Sequence, residues 1–204
     1  MAPNASSEKD DWIKQLDAEL ERQTQDIMKD AAELQTQMGA VNKTLIFDFD
    51  QIKDRFDKQR IFLTMEPQRS VYAQQDDTLE KWQFKPEFKP EDIRNIQLID
   101  RTQEQGRMGD SLKAWYYNDN GEIRLRMIFE YCEGEHYYKY AGWKRVFGQF
   151  VVYDCDLPNV NLENLHDKMA TVVKAWFESH LRHNREVLIN ALKANFEKGE
   201  TFTE

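Results

Sequence analysis

Cysteine is scarce in this chain of 204 residues: only Cys132 and Cys155 occur. Two thiols make no disulfide framework, and their spacing fits no metal site, so both read as reduced structural cysteines. Serine is nearly as rare, at Ser6, Ser7, Ser70, Ser111 and Ser179. None has catalytic surroundings, which leaves serine-hydrolase chemistry little to build with. There is no glycine-rich phosphate loop and no nucleophile elbow. No apolar run reaches the ~18 residues that a membrane span requires. The opening MAPNASSEKDD carries neither the basic nor the apolar region of a secretory signal. These absences lead us to expect a cytoplasmic protein off the membrane, with no metal, no cofactor and no catalytic residue that can be named.

The chain does have an acidic surface and enough rings for a core. Charged residues make up 32% and the mean hydropathy is -0.82, so the surface is very polar. Hydrophobic residues at 40%, with 12% aromatic, are too many for a disordered chain. The net charge of -9 argues against a partner held mainly through phosphate contacts.

The N-terminal segment is the most informative. Ser7 stands where an N-cap belongs, with Glu8, Asp10 and Asp11 at the positive end of the helix dipole. Apolar positions follow at Ile13, Leu16, Leu20, Ile27, Leu34 and Met38, with Thr24 and Ala31 between them. From Leu20 the steps alternate four and three, the coiled-coil rhythm. Gly39 stands where a helix stop is expected. The stripe is narrow, and it must lie on something: either the chain's own C-terminal helix, as the polar companions Gln23, Asp30 and Gln37 favour, or a second copy or partner in a coiled coil, the reading adopted. Ile13, Leu20, Ile27 and Leu34 repeat every seven residues and are the expected oligomerisation positions. The division expected is a helical segment over 1–40 and an α+β domain over 41–204.

Beyond Gly39, Leu45, Phe47 and Phe49 alternate as in a short strand, and Ile52 and Phe56 fall at helical steps. Prolines punctuate 66–94, where Leu79, Trp82 and Phe84 read as an edge strand. From Asn95 turns recur about every ten residues with no helices between them, which spells an antiparallel meander. Asn118-Asp119-Asn120-Gly121 is a strong hairpin signal, and Glu133-Gly134 reads as a further turn. Asn161 caps a helix expected to run to about Lys198, with a kink or junction within 180–186 and Gly199 beyond its end. The fold expected is α+β: an N-terminal amphipathic helix, a meander of about five to six strands, and a long C-terminal helix packed on the sheet. It is analogous to helix-grip architectures, in which a curved sheet wraps a C-terminal helix over an apolar cavity.

Three motifs invite chemistry. Thr44-Leu45-Ile46-Phe47-Asp48-Phe49-Asp50 resembles the nucleophile motif of haloacid-dehalogenase-type phosphatases, in which the first carboxylate attacks phosphorus and the second handles a proton. The family places Thr or Val where this chain has Ile52, and it continues as alternating strands and helices rather than a meander. A strand end with two solvated carboxylates is the reading adopted. His180, His183 and Glu186 lie at helical spacing, but no further ligand completes a metal shell, so His180 reads as a core-edge histidine. His166-Asp167 resembles half of the His-Asp signature of metal-dependent phosphohydrolases, and no more than a dipeptide carries that.

The segment from His136 to Arg145 interleaves rings with bases. Arg124, Arg126, Tyr138, Trp143 and Lys144 are therefore the expected partner-binding residues on one sheet face, of the types that dominate interface hot spots. The function expected is a non-enzymatic interaction or adaptor protein, a homo-oligomer (a dimer) through its first helix. The alternative is a small-ligand-binding or enzymatic domain with a sheet–helix cavity lined by Trp115, Trp143 and Trp176. Nucleic-acid binding through the same rings and bases ranks last.

Overall fold

The computed structural model describes residues 5–68, 89–102 and 109–203. One long helix, α1 (Ala5–Asp57), leads into the sheet. The strands are β1 (Leu63–Gln68), β2 (Asn95–Asp100), β3 (Ser111–Asp119), β4 (Glu122–Tyr138), β5 (Gly142–Asp156) and β6 (Glu197–Thr203). Between β5 and β6 lie α2 (Leu162–Leu181) and α3 (Arg185–Asn195), and single 3-10 turns cover Pro90–Asp92 and Leu157–Asn159. The six strands form one antiparallel sheet in the order of the chain. The α+β class, the antiparallel meander and the C-terminal helical layer are as expected.

Strand alternation divides the sheet cleanly. Leu112, Ala114 and Tyr116 of β3 stand beside Phe129, Met127 and Leu125 of β4 on the inner face. Ile96 and Leu98 of β2 join them. Over this face lie Leu45, Phe49 and Phe56 of α1, Leu165, Val172 and Trp176 of α2, and Leu188 and Leu192 of α3. Trp176 sits at the centre, its ring 5.1 Å from Phe129 and 5.3 Å from Phe56. The layer between sheet and C-terminal helices is therefore filled by side chains. The other face carries a polar ladder in which the buried Glu130 accepts from Gln149 Nε2 at 3.0 Å and Ser111 Oγ at 3.3 Å, with Lys113 paired to it.

Five expectations are corrected. Gly39 does not stop α1, which runs for 53 residues, about 80 Å at 1.5 Å per residue. Gly39 serves close approach instead: a Cβ there would meet Glu91 Cβ at 3.3 Å. The Leu45–Phe49 segment is helical, and its phenylalanines part company: Phe49 is buried and Phe47 exposed. Glu133-Gly134 is a register shift inside β4 rather than a turn, so β4 and β5 form one long ribbon of 17 and 15 residues. The C-terminal helix is two helices. Its junction falls where the polar run suggested, with His183 in the left-handed region at φ 48° and the Asn184 side chain capping α3 through Glu186 N at 3.0 Å. Past α3 the chain adds strand β6, where only a helix end was expected. Asn161 caps α2 as expected, accepting from Asn164 N at 2.9 Å. The expected strand at Leu79, Trp82 and Phe84 lies outside the described residues.

Candidate functional site

Helix α1 changes character along its length. From Met38 onward its stripe is buried: Met38, Val41, Leu45, Phe49, Ile52 and Phe56 all face the core. Asn42 anchors the same stretch, donating to Pro90 O at 2.7 Å and accepting from Tyr116 Oη at 3.0 Å. Before Leu34 the same stripe is bare. Leu20 is 51% exposed and Ile27 is 68% exposed, and Leu16 and Met28 are exposed beside them. Leu34 packs against the core at the point where the helix leaves it. The Ile13 side chain lies outside the described ones. Of the expected oligomerisation residues, Leu20 and Ile27 thus sit on a projecting arm and Leu34 at its root.

The expected partner-binding residues fall into two groups. Arg124 and Arg126 lie at the start of β4, and Tyr138 closes it, twelve residues past Arg126; at ~3.3 Å per residue the span is about 40 Å. The two arginines are engaged within the fold. Arg124 Nε donates to Asp154 Oδ1 at 3.0 Å, and Arg126 Nε donates to Asp154 Oδ2 at 2.6 Å. Asp156 pairs with Arg124 as well. Tyr117 Oη donates to Asp154 at 3.0 Å and lies under the Arg126 guanidinium. Partial burial would raise the Asp154 carboxyl, but hydrogen bonds from Arg126, Arg124 and Tyr117 outweigh it and hold the group below its usual range. This knot presents no free cation pair.

The second group is exposed. Among the described residues β4 pairs with β3 only as far as Glu130 and β5 pairs with β6 only from Val146 onward, so the β4–β5 pairing extends past both neighbours. At its tip Trp143 is 69% exposed and Tyr140 is 93% exposed. Tyr137 packs edge-on against Trp143, with centroids 5.7 Å apart. Tyr138 and Lys144 are on the same ribbon. Rings held on a two-stranded ribbon cost little side-chain entropy when they bind.

A polar cleft of about 480 Å³ opens at the base of this ribbon. His180 Nε2 lies 2.9 Å from Asp100 Oδ2, while Asp100 Oδ1 accepts from the Thr102 backbone N–H at 2.8 Å. Across the ladder Asp110 accepts from Arg185 Nη2 at 2.7 Å and from Cys132 N at 3.0 Å. Gly109 N and Asp110 O both bond the backbone of Asp100, two residues against one, as at a bulge. Burial acts upward on both carboxyls. At Asp100 the bonds from His180 and Thr102 outweigh it and the group is lowered, whereas at Asp110 burial wins over Arg185 and the group is raised. Two carboxyls pushed apart beside an imidazole and a thiol are a set that acid–base chemistry can use. Sequence reading missed this grouping because its members come from β2, the residues just before β3, β4, α2 and α3. The one signal was the polar run over 180–186.

The remaining sequence candidates are dispersed. Asp48 is on α1, not at a strand end, and its Oδ2 lies 2.7 Å from His166 Nε2 of α2. This pair closes one end of an apolar groove of about 550 Å³ between α1 and α2. Trp115, Trp143 and Trp176 line no common cavity: Trp176 is in the core, Trp143 at the ribbon tip, and Trp115 faces away from the core beside Arg126. Among the described residues no group of three or more His, Cys, Asp or Glu could hold a metal ion, and no helix is long and apolar enough to cross a membrane. No family model, curated protein or solved structure matches the chain.

Proposed function

We propose that this is a non-enzymatic interaction protein that self-associates through the arm of α1 and presents the aromatic ribbon tip to a protein partner. One observation carries the reading: a single apolar stripe is buried from Met38 onward and bare before Leu34. An exposed helix this polar draws little stability from propensity alone, since most helical stability comes from packing an apolar face. Tyr138, Trp143 and Lys144 supply the partner surface at the far end of β4. Arg124 and Arg126, which pair with Asp154, are not needed for this reading.

Light scattering tests the reading on the full chain. The expected mass is twice the 24.4 kDa of one chain, falling to one chain in Ile27→Asp with an unchanged far-ultraviolet spectrum. A wild type that stays monomeric across a dilution series sinks it.

The cleft at Asp100, Asp110 and His180 favours a second reading, a site for a small polar ligand or for acid–base chemistry. Its test is a thermal-shift screen of small polar metabolites against the wild type and His180→Gln. A compound that stabilises only the wild type moves the function to the cleft.

A further inference from the structure

We infer that two arms pair antiparallel, in one register that sets Thr24 beside Ile27 of the second copy and Leu20 beside its Ala31. The inference rests on self-association through α1 and adds its direction and register. The first argument is spatial. The stripe that would form the seam is the same stripe that each domain covers from Met38 onward. In a parallel pair both domains would have to occupy the gap between the two helices at the same end. In an antiparallel pair they lie at opposite ends, and each free arm stops where the other's domain begins.

The second argument is size. The alternating steps make Leu20, Ile27 and Leu34 one set of seam positions, and Asp17, Thr24 and Ala31 the other. A parallel pair sets each residue against its own copy, stacking Asp17 on Asp17, Thr24 on Thr24 and Ala31 on Ala31. Those layers bring two carboxylates together or leave space unfilled. An antiparallel pair sets each large side chain against a small or polar one, as interdigitating layers require.

Charge selects the register. With Thr24 beside Ile27, the flanking contacts are Glu21 with Met28 and Gln23 with Asp30, and no like charges meet. Shifting by one heptad toward the N-terminus sets Glu21 against Glu21, which is unfavourable. Shifting the other way sets Leu20 against Met38, which its own domain already buries.

Disulfide trapping in the full chain tests the inference. Leu20→Cys protein is mixed with Ala31→Cys protein under mild oxidation, with the wild type as the blank for Cys132 and Cys155. The expected result is a cross-linked species carrying a peptide bridged between positions 20 and 31, formed in the mixture and by neither variant alone. Asp17→Cys mixed with Leu34→Cys repeats the test at the next layer, in case either core substitution loosens the pair. Cross-links formed by Leu20→Cys alone, or a wild-type dimer that traps at neither layer, overturn the antiparallel register while leaving self-association standing. A monomeric wild type removes both.

Discussion

Asp100 and Asp110 face one another across the β2–β3 ladder with opposite electrostatic fates. His180 Nε2, 2.9 Å from Oδ2, and the Thr102 backbone hold Asp100 as an anion, whereas burial works against the charge on Asp110. The two therefore contribute to stability with opposite pH dependence. A carboxyl lowered on folding stabilises the protein above the unfolded value of ~3.9, and that contribution is lost as pH falls through the folded value. A raised carboxyl is most favourable below the unfolded value and loses ground as pH rises through the folded one. Asp100→Asn should lower stability at neutral pH by about 1–3 kcal/mol, the usual cost of losing a buried hydrogen-bonded group. Asp110→Asn keeps an acceptor for Cys132 N and Arg185 and should raise stability at neutral pH. Both differences should close in acid. Urea unfolding at a series of pH values measures them, and equal signs for the two variants at neutral pH would refute the assignment.

The fold class was legible because the sheet announces itself. Alternation over Ile123 to Tyr131 and the Asn118–Gly121 turn translate directly into β4 and its hairpin. Glycine misled at three places, because a glycine can serve close approach, as at Gly39 and Gly199, or a positive φ within a strand, as at Gly134, as well as termination. Gly39 lets α1 pass Glu91, Gly134 sits at a register shift, and Gly199 lies in β6. The candidate cleft was illegible for a different reason. Asp100 and His180 are eighty residues apart in the chain, and only the packing of α2 on the sheet brings them together. Alternation could say that Arg124 and Arg126 share a face, but not that Asp154 of the next strand binds both.

Gly148 makes room for Tyr131. The two are cross-strand partners, and a Cβ at 148 would lie 2.6 Å from the Tyr131 ring and hydroxyl and 2.7 Å from Glu133 Oε1. The ring lies over the glycine and stacks on Phe150 at 5.6 Å, the pattern by which an aromatic covers a bare stretch of strand. Burial and Glu133 push the Tyr131 hydroxyl up to about 12, so it stays protonated and donates to Glu133 at 2.8 Å. Gly148→Ala should cost about 1–3 kcal/mol through overpacking. In Gly148→Ala combined with Tyr131→Ala the penalties should fall short of additive, since the clash is gone. Strict additivity in a double-mutant cycle would show that the glycine is needed for something else.

Asp154 keeps Arg124 and Arg126 from acting as a basic surface. Asp154→Asn removes the shared anion and leaves the pair facing Asp156 and the Tyr117 hydroxyl. The variant should therefore bind a cation-exchange resin more strongly than the single unit of charge gained elsewhere on the surface would produce. Asp119→Asn, on the neighbouring turn with its side chain exposed, is the matched control. Equal retention of the two variants would show that the arginines were never neutralised by Asp154.

Leu20 and Leu45 lie on the same face of the same helix, seven turns apart, and should behave as residues of different molecules. Leu45 is fully buried under the sheet, and Leu45→Ala should cost about 2–5 kcal/mol by opening a cavity. Leu20 is half exposed and outside the buried core, so Leu20→Ala should leave the dilute protein within about 0.5 kcal/mol of wild type. Concentration is what separates the readings. If arms pair, the wild-type thermal midpoint rises with protein concentration, because association stabilises the folded state by mass action. Leu20→Ala should flatten that dependence while Leu45→Ala shifts the midpoint by the same amount at every concentration. Thermal unfolding over a dilution series reads both effects at once. A wild-type midpoint independent of concentration would mean that the bare stripe does not pair with a second copy.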